Sequence, residues 1–324
     1  MKFSTIGTSW ITESFIQAAE ASGRAQFLSV YSRSGDRAKE FASKNGAVRW
    51  FDKMDEMLED CSDFVYIASP NSMHAEQILR CLDKGKHVFC EKPMVATEEE
   101  WHAVKEAADR NNLFVMEGYR HLFSPNYQNL KKHLARAGKV RSAVLQYVQY
   151  SSKYDAFKEG RNPNVFSPEF AGGALMDLGV YPLSMAIDLF GEPKKVDYFP
   201  VALANGIDGS GTLVLTYEDS SITILCSKIA QATIPSEIHG EDGTWTMNHL
   251  APIGSLTFYD RKSKKIEETA VAQSDNDMLY EAEIFVKMIE NNDRVLYEAL
   301  MERSRLTVES LERARSQAGL SFSV

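Results

Sequence analysis

Apolar runs and helical patterns alternate five times in the first part of the chain, and this alternation limits the possible folds more than any other feature. Each run has the length of a strand, and a segment with helical periodicity follows it. The runs cover residues 3–6, 27–31, 63–68, 87–90 and 113–116. Strands that alternate with helices predict an α/β domain built on a doubly wound parallel sheet.

The pattern changes after Tyr119. Residues 195–270 show successive β-runs separated by turn signals, and two helical patterns, 277–291 and 298–317, follow them. We therefore predict a second, α+β domain with a large open, mainly antiparallel sheet and helices on one face. The length of 324 residues fits two domains, which we place at 1–120 and 121–324.

Composition excludes several classes of protein. A net charge of -9 without a strong basic patch argues against a nucleic-acid or acidic-membrane partner. The four cysteines have no metal-binding or redox spacing, so we expect reduced thiols and no metal. The sequence shows neither a signal-peptide pattern nor an apolar run long enough to span a bilayer, so we expect a cytoplasmic protein.

The turn after the first strand has the setting of a dinucleotide site. Gly7, Thr8, Ser9, Trp10 and Ile11 join a strand to a helix, whose N-terminal N–H groups suit a pyrophosphate. Only the first glycine of the usual fingerprint is present, because Ser9 and Thr12 replace the other two. An ordinary strand-to-helix turn is the alternative interpretation.

The end of the second strand indicates which nicotinamide cofactor is preferred. An NAD site usually carries Asp or Glu there to hold the ribose diol, but this chain has Ser32 and Arg33, with Arg37 in the next helix. A guanidinium forms forked hydrogen bonds to phosphate oxygens. We therefore favour NADP, with NAD as the other possibility; alternatively, Arg33 stacks on adenine or faces water.

Two further turns would face the same ligand. The third strand ends in Ser69-Pro70-Asn71, and His74 lies in the helix that follows. We assign these residues to the cofactor site, together with Glu91 and Arg120. His74 has two alternatives, since it could carry a proton or pack against a neighbouring loop.

Lys92 is the strongest candidate for a catalytic group. Glu91-Lys92-Pro93 ends a buried strand, which would present an ammonium at the carboxyl edge of the sheet, where such folds bind ligands. Asp177 and Tyr181 lie four residues apart at the start of an apolar helix and would share one face. Oxidising an alcohol requires a base, and Lys92 could be that base or polarise the oxygen, acting together with Tyr181. Asp177 could hold the substrate hydroxyl or orient Lys92.

Each of these residues also has a structural interpretation. Asp177 could cap its helix, Tyr181 could belong to the core, and Lys92 could pair with Glu91. Their joint occurrence with a dinucleotide-type sheet favours the catalytic interpretation.

The chain resembles the Gfo/Idh/MocA oxidoreductase family over nearly its whole length. The resemblance depends on the N-terminal strand-turn-helix, Ser69-Pro70-Asn71 with His74, Glu91-Lys92-Pro93, and the segment 172–182. It implies a Rossmann domain, a C-terminal open-sheet domain, NAD or NADP, Lys92 as the catalytic lysine, and dimers or tetramers formed through the C-terminal sheet. Tyr181 is similar to the glucose-fructose oxidoreductase and dimeric dihydrodiol dehydrogenase branch, whereas the inositol-dehydrogenase pattern has histidine there.

These features predict an NADP-preferring dehydrogenase or reductase that acts on CH–OH groups of a sugar, polyol or related small hydroxy compound. Two alternatives remain open from the sequence. One is a dinucleotide-binding sensor or regulator without chemistry, and the other is transfer between two sugars on a cofactor that never leaves.

Overall fold

The chain forms two compact units in a computed structural model that describes residues 1–320. The first unit contains Met1–Gly118 and Ser274–Arg305. The second contains Tyr119–Gln273 and, within the described residues, the chain from Leu306 on. All of 121–324 was predicted to form the second domain, whereas residues 274–305 belong to the first compact unit.

The α-helices lie in both units, and short 3₁₀ or π segments accompany several of them. In chain order they are α1 (Trp10–Ala21), α2 (Gly35–Asn45), α3 (Met54–Leu58), α4 (His74–Asp83), α5 (Glu98–Arg110), α6 (Arg120–Phe123), α7 (Pro125–His133), α8 (Tyr154–Lys158), α9 (Val180–Phe190), α10 (Met278–Glu290) and α11 (Arg294–Gln317).

The first unit is built on a parallel sheet of six strands. They are β1 (Lys2–Ile6), β2 (Gln26–Tyr31), β3 (Arg49–Phe51), β4 (Phe64–Ile67), β5 (His87–Glu91) and β6 (Val115–Gly118). Their order, β3-β2-β1-β4-β5-β6, is that of a dinucleotide-binding doubly wound sheet. The sequence analysis found five of the strands. It missed β3 because this strand has three residues and is largely exposed, so it forms no apolar run.

An aromatic cluster holds the helices of this unit against the sheet. Phe3 of β1 stacks on Phe64 of β4 with ring centroids 5.2 Å apart, and Phe15 of α1 stacks on Tyr66 at 3.8 Å. Phe285 of α10 meets the edge of the Phe64 ring at 5.2 Å. This last contact explains why α10, which follows the second unit in the chain, packs with the first.

The second unit contains an eight-stranded sheet. Its strands are β7 (Val140–Val148), β8 (Lys195–Ala202), β9 (Asp208–Thr216), β10 (Ser221–Ser227), β11 (Ser236–Gly240), β12 (Gly243–Met247), β13 (Leu256–Asp260) and β14 (Lys265–Glu268). The order is β14-β13-β12-β11-β7-β10-β9-β8. Only the β7–β10 pair is parallel among the described strands of this sheet, so the prediction of a mainly antiparallel sheet is confirmed.

One face of this sheet lies under α9 and the helical segment before it. Gly179 allows the close approach, because a Cβ there would stand 3.2 Å from the sulfur of Cys226 in β10. The stretch Pro168–Phe190 is long and apolar enough to cross a membrane, but 83% of its most apolar window is buried inside the protein. That burial is what a core helix shows, so the stretch is weak evidence for a membrane span.

Candidate active site

The turn between β1 and α1 can be made only with glycine at its first position. Gly7 has a φ of +117°, and a Cβ there would lie 2.7 Å from the carbonyl oxygen of Ala68. Ser9 precedes α1, and its side chain makes no capping hydrogen bond. The first-turn N–H groups of α1 therefore suit an anionic ligand, and the turn fits a pyrophosphate.

Thr12 stands where the fingerprint usually has its third glycine. Its side chain is fully buried, and its hydroxyl lies 3.4 Å from that of Ser9. The substitution is thus accommodated inside the turn. Trp10, by contrast, is 72% exposed at the start of the helix.

Two exposed guanidinium groups lie beside the end of β2. Arg33 is the second residue after the strand, and Arg37 is in the first turn of α2. Ser34 caps this helix by accepting a hydrogen bond from the main-chain N–H of Arg37 at 3.4 Å. Ser32 accepts one from the N–H of Ser34 at 3.3 Å. These residues offer positive charge and hydroxyl groups, as a phosphate requires.

His74 is fully buried and joins two loops at the carboxyl edge of the first sheet. Its Nδ1 lies 2.9 Å from the carbonyl oxygen of Pro93, and its Nε2 lies 2.9 Å from that of Ser69. Burial lowers the pKa of His74. The ring thus links the segment after β4 to the one after β5, which is the packing alternative raised for this residue.

Hydrogen bonds fix the residues on both sides of Lys92. Glu91 accepts a hydrogen bond from the Tyr66 hydroxyl at 2.7 Å. Beyond the cis peptide bond between Lys92 and Pro93, the N–H of Met94 donates to Oε1 of Glu117 at 2.8 Å. The Lys92 side chain itself is half-buried. The lysine therefore starts from a fixed piece of main chain at the end of β5.

Glu117 is a site residue that the sequence analysis did not identify. It is 4% exposed in β6, and its Oε2 accepts a hydrogen bond from the Ser304 hydroxyl of α11. Burying a carboxylate without hydrogen-bond partners costs free energy, so a glutamate in an apolar strand indicates that such partners exist. Its partners are distant from it in sequence, so the sequence alone does not identify them.

In the second unit, two glycines shape the turn before Asp177. A Cβ at Gly172 would lie 2.8 Å from the carbonyl oxygen of Val165. Gly173 has a φ of +109°, and a Cβ there would overlap the carboxylate of Asp208. The glycine pair therefore lets the chain pass between a loop and a buried acid.

Asp177 lies in a single π-helical stretch, Leu175–Gly179, and forms an ion pair with Lys228. Short π-helical stretches inside helices are common at functional sites. The carboxylate of Asp177 is thus bound to an ammonium group, and the N-cap position of α9 belongs to Gly179. The sequence analysis missed Lys228, because nothing in the chain around position 228 distinguishes it from a surface lysine.

Tyr181 lies one turn later, at the start of α9. Its ring meets those of His121 and Tyr147 edge to face, with centroids 5.0 and 5.1 Å apart. Its carbonyl oxygen lies 3.0 Å from Nε2 of His121 and accepts a hydrogen bond from the Ser184 hydroxyl at 3.0 Å. The tyrosine is therefore held by both its ring and its main chain.

Asp208 is a second buried carboxylate in this unit. It accepts hydrogen bonds from the Leu175 N–H at 2.7 Å and from the Tyr198 hydroxyl at 2.6 Å. Burial raises its pKa to about 6. Because it holds the N–H of Leu175, it fixes the start of the helical turn that carries Asp177.

The predicted site residues are divided between the two units. Lys92, His74 and the residues around Gly7 and Arg33 belong to the first, while Arg120, Asp177 and Tyr181 belong to the second. The individual roles assigned to these residues stay predictions.

Comparison with known families decides what kind of protein this is. Residues 1–119 match the sequence model of an oxidoreductase family with an NAD-binding Rossmann fold, named GFO_IDH_MocA. Residues 127–246 match the GFO/IDH/MocA C-terminal domain. The chain belongs to the GFO/IDH/MocA oxidoreductase family. This confirms the family and the fold class predicted from the sequence.

Curated relatives of this GFO/IDH/MocA protein include two that match almost end to end. The scyllo-inositol 2-dehydrogenase (NADP(+)) IolU of Bacillus subtilis (strain 168) is 41% identical over 99% of this chain and 98% of its own. The uncharacterized oxidoreductase YgjR of Escherichia coli (strain K12) is 37% identical over the same shares. A trans-1,2-dihydrobenzene-1,2-diol dehydrogenase of Mus musculus is 26% identical over 93% of this chain and 91% of its own.

Solved structures share the fold of this family member. A 3-ketoreductase from Actinomadura kijaniata, in complex with NADP and TDP-benzene, superposes with a TM-score of 0.84. The alignment covers 98% of this chain and 97% of that one at 22% identity. At that identity the similarity supports the fold alone.

Proposed function

We propose that this oxidoreductase prefers NADP and transfers a hydride to or from a carbinol carbon of a neutral polyol or sugar. The observation that carries the proposal is Lys92, held on fixed main chain at the carboxyl edge of an NAD-binding Rossmann sheet. The name of the Bacillus subtilis relative, an NADP-dependent scyllo-inositol dehydrogenase, supports both the cofactor and the substrate class.

The cofactor would be held by residues of the first unit. The turn at Gly7 to Ile11 suits the pyrophosphate, and Ser32, Arg33 and Arg37 suit a 2′-phosphate. Ser69, Pro70 and Asn71 follow β4, and Glu91 is the last residue of the neighbouring β5. When bound, the nicotinamide supplies the acceptor or donor of the hydride. Arg120 and His74 are retained as further residues of this site, His74 through its hold on the Ser69 and Pro93 carbonyl groups.

The remaining work is the movement of one proton and the orientation of the reacting hydroxyl. When an alcohol is oxidised, its hydroxyl proton must pass to a base as the hydride leaves carbon. We assign this step to Lys92 and Tyr181: the neutral amine of Lys92 or the phenolate of Tyr181 accepts the proton, and in the second case the Lys92 ammonium stabilises negative charge on the reacting oxygen. Asp177 accepts a hydrogen bond from a substrate hydroxyl.

Lys92→Met tests the assignment, with scyllo-inositol and NADP⁺ as substrates and reduced-nicotinamide absorbance as the readout. We expect kcat to fall by at least about 1000-fold, because a positioned acid or base contributes that much, while the Kd for NADP⁺ changes little. Lys86→Met is a matched control, since Lys86 binds the main-chain carbonyls of Asp60 and Ser62. Unchanged turnover in Lys92→Met contradicts the catalytic role.

The cofactor preference depends on Arg33. Arg33→Asp should weaken NADP⁺ binding at least about tenfold more than NAD⁺ binding, because a carboxylate repels the 2′-phosphate and suits a ribose diol. Titration of both cofactors by intrinsic fluorescence or calorimetry measures the ratio. Equal losses for the two cofactors would show that Arg33 does not contact the phosphate.

We also propose a homodimer or homotetramer that forms through the second sheet. Phe199 and Val201 of β8 are 60% and 54% exposed, on the face of the strand opposite the buried Val196 and Tyr198. Exposed apolar side chains on a sheet face indicate a covering partner. Light scattering measures the mass. The free thiols, three of them buried, suit a reducing compartment, so a cytoplasmic location is part of the proposal.

A further inference from the structure

We propose that Lys228 is a positioning residue for Asp177 and that the pair selects a neutral ligand with adjacent hydroxyl groups. The inference rests on the proposed function, since it concerns the same polyol site. It adds a residue that neither the sequence pattern nor the family resemblance assigned.

The two members of the pair differ in exposure. The Lys228 side chain is 2% exposed, and its Nζ donates a hydrogen bond to Oδ2 of Asp177. The Asp177 side chain is 31% exposed. The ammonium therefore lies in the interior, and the carboxylate that it holds stays accessible to a ligand.

The main chain of Lys228 fixes where this ammonium starts. The residue follows β10 directly; its N–H donates to the carbonyl oxygen of Gly209 at 2.8 Å, and its carbonyl oxygen accepts from the N–H of Ser151 at 2.9 Å. The Ser227 hydroxyl accepts hydrogen bonds from the N–H groups of Ile229 and Ala230. The turn around Lys228 is thus tied on both sides.

The irregular segment between β7 and α9 is attached to the same lysine. Ser151 lies at its start, and the ring of Phe166 lies near its end, with Nζ of Lys228 5.1 Å from the ring centroid. A cation over an aromatic face is stabilised by the ring quadrupole. Lys228 therefore links the segment expected to line the substrate pocket with the carboxylate expected to hold the substrate.

A buried ammonium needs a carboxylate partner, and in this unit Asp177 fills that role. Removing one member of a buried ion pair leaves an uncompensated charge, which is strongly destabilising. Asp208 interacts electrostatically with Lys228, but its own hydrogen bonds go to Leu175 and Tyr198. The pull of Lys228 on Asp177 thus sets the position of a side chain on an irregular π-helical turn, where the main chain alone specifies it poorly.

The pair also determines the chemistry of the ligand. Its charges sum to zero, so it offers no net attraction to a phosphate or carboxylate group. A carboxylate has about four acceptor positions, so one that binds a lysine is not limited to that single partner. Two adjacent hydroxyl groups of a neutral polyol match this arrangement, and loss of one removes a hydrogen bond to the carboxylate.

A double-mutant cycle tests the inference with scyllo-inositol and saturating NADP⁺. Lys228→Met should raise the KM for scyllo-inositol at least about tenfold and leave the KM for NADP⁺ unchanged. In an Asp177→Asn background the same change should cost less than about threefold, because the lysine then has no carboxylate to position. Lys195→Met is the control, since Lys195 forms an exposed pair with Asp197.

Additive effects of the two substitutions would overturn the inference, as would equal changes in the two KM values. If Lys228→Met does not fold, Lys228→Arg replaces it in the cycle. It retains the charge, and it should raise the KM for scyllo-inositol alone. A wild-type enzyme that oxidises no neutral polyol contradicts both the proposed function and the neutral-polyol ligand class. A wild-type enzyme that oxidises scyllo-inositol with no coupling between the two positions overturns the role of Lys228 only.

Discussion

Lys92 and Asp177 are both fixed at their sites, but the two units fix them by different interactions. Around Lys92 neutral groups donate to carboxylates: the Tyr66 hydroxyl donates to Glu91 and the Met94 N–H donates to Glu117, while the His74 ring contacts two carbonyl oxygens. Around Asp177 the support is a buried ion pair. The contrast suggests that the first site is held mainly by hydrogen-bond geometry, whereas the second depends on charge.

The largest effect that tests this contrast is expected at Glu117. Glu117→Ala removes the acceptor of the buried Met94 N–H and of the Ser304 hydroxyl, and it should destabilise the protein by about 3 kcal/mol while lowering kcat. Thermal denaturation and steady-state kinetics measure the two effects.

Glu117→Gln is the control that sharpens the contrast, because it keeps an oxygen acceptor and removes the charge. If geometry is what holds the Lys92 loop, the glutamine variant retains most of the kcat and stability. A glutamine variant as damaged as the alanine variant would mean that charge supports this loop as well.

A smaller effect concerns His87, in the first unit. Its Nδ1 accepts a hydrogen bond from the Phe114 N–H at 3.0 Å, and burial, with Arg294 nearby, lowers its pKa from 6.5 to about 4. Between those pH values the unfolded chain binds a proton that the folded chain does not, so stability is full above pH 6.5 and falls as the pH drops. The loss should reach at most about 3 kcal/mol.

The check is His87→Asn, which keeps an acceptor for the Phe114 N–H and does not titrate. The melting temperature of the wild type should fall more between about pH 7 and about pH 5 than that of the variant, because the unfolded chain gains its histidine proton over that range. Parallel curves would show that His87 contributes nothing to the acid sensitivity.

The smallest effect has the opposite sign and concerns Asp208, in the second unit. Burial raises its pKa from 3.8 to about 6, so in that window the folded chain keeps a proton that the unfolded chain releases. Stability contributed by this group is therefore lost as the pH rises, by about 3 kcal/mol in all. Asp208→Asn should remove this pH dependence of stability, and melting curves between about pH 4 and about pH 7 measure it. If the melting temperature of the variant depends on pH as that of the wild type does, Asp208 does not contribute to the pH dependence.

The sequence predicted the fold well because local patterns determine it. β10 (Ser221–Ser227) and β12 (Gly243–Met247) lie within the β-runs predicted for residues 195–270, since alternating apolar residues between turn signals define them. The capping box of Thr97 and Glu100, with which α5 begins, is likewise a local pattern. Two features were not predicted, the short, exposed β3 and the packing of α10 with the first unit, because neither produces a local sequence pattern.

The site was predictable only in part, and for a related reason. Gly7, Lys92 and Asp177 stand in recognisable motifs, but their supports Glu117 and Lys228 do not. Glu117 bonds to Met94 and Ser304, and Lys228 bonds to Asp177, so each partner is distant in sequence. Residues that position a catalytic group through long-range contacts become visible only when the chain is folded.

The place of β7 in the second sheet has a consequence for how the chain is made. β7 is the first strand of that sheet to leave the ribosome, yet in the folded sheet it is an interior strand. There Ser142 pairs with Ser221 of β10, and Ala143 pairs with Ile238 of β11. During synthesis both of its edges stay unpaired until β10 and β11 emerge, and such edges can pair with other chains. Nascent chains stalled between β7 and β11 are therefore the species that chaperones would need to protect.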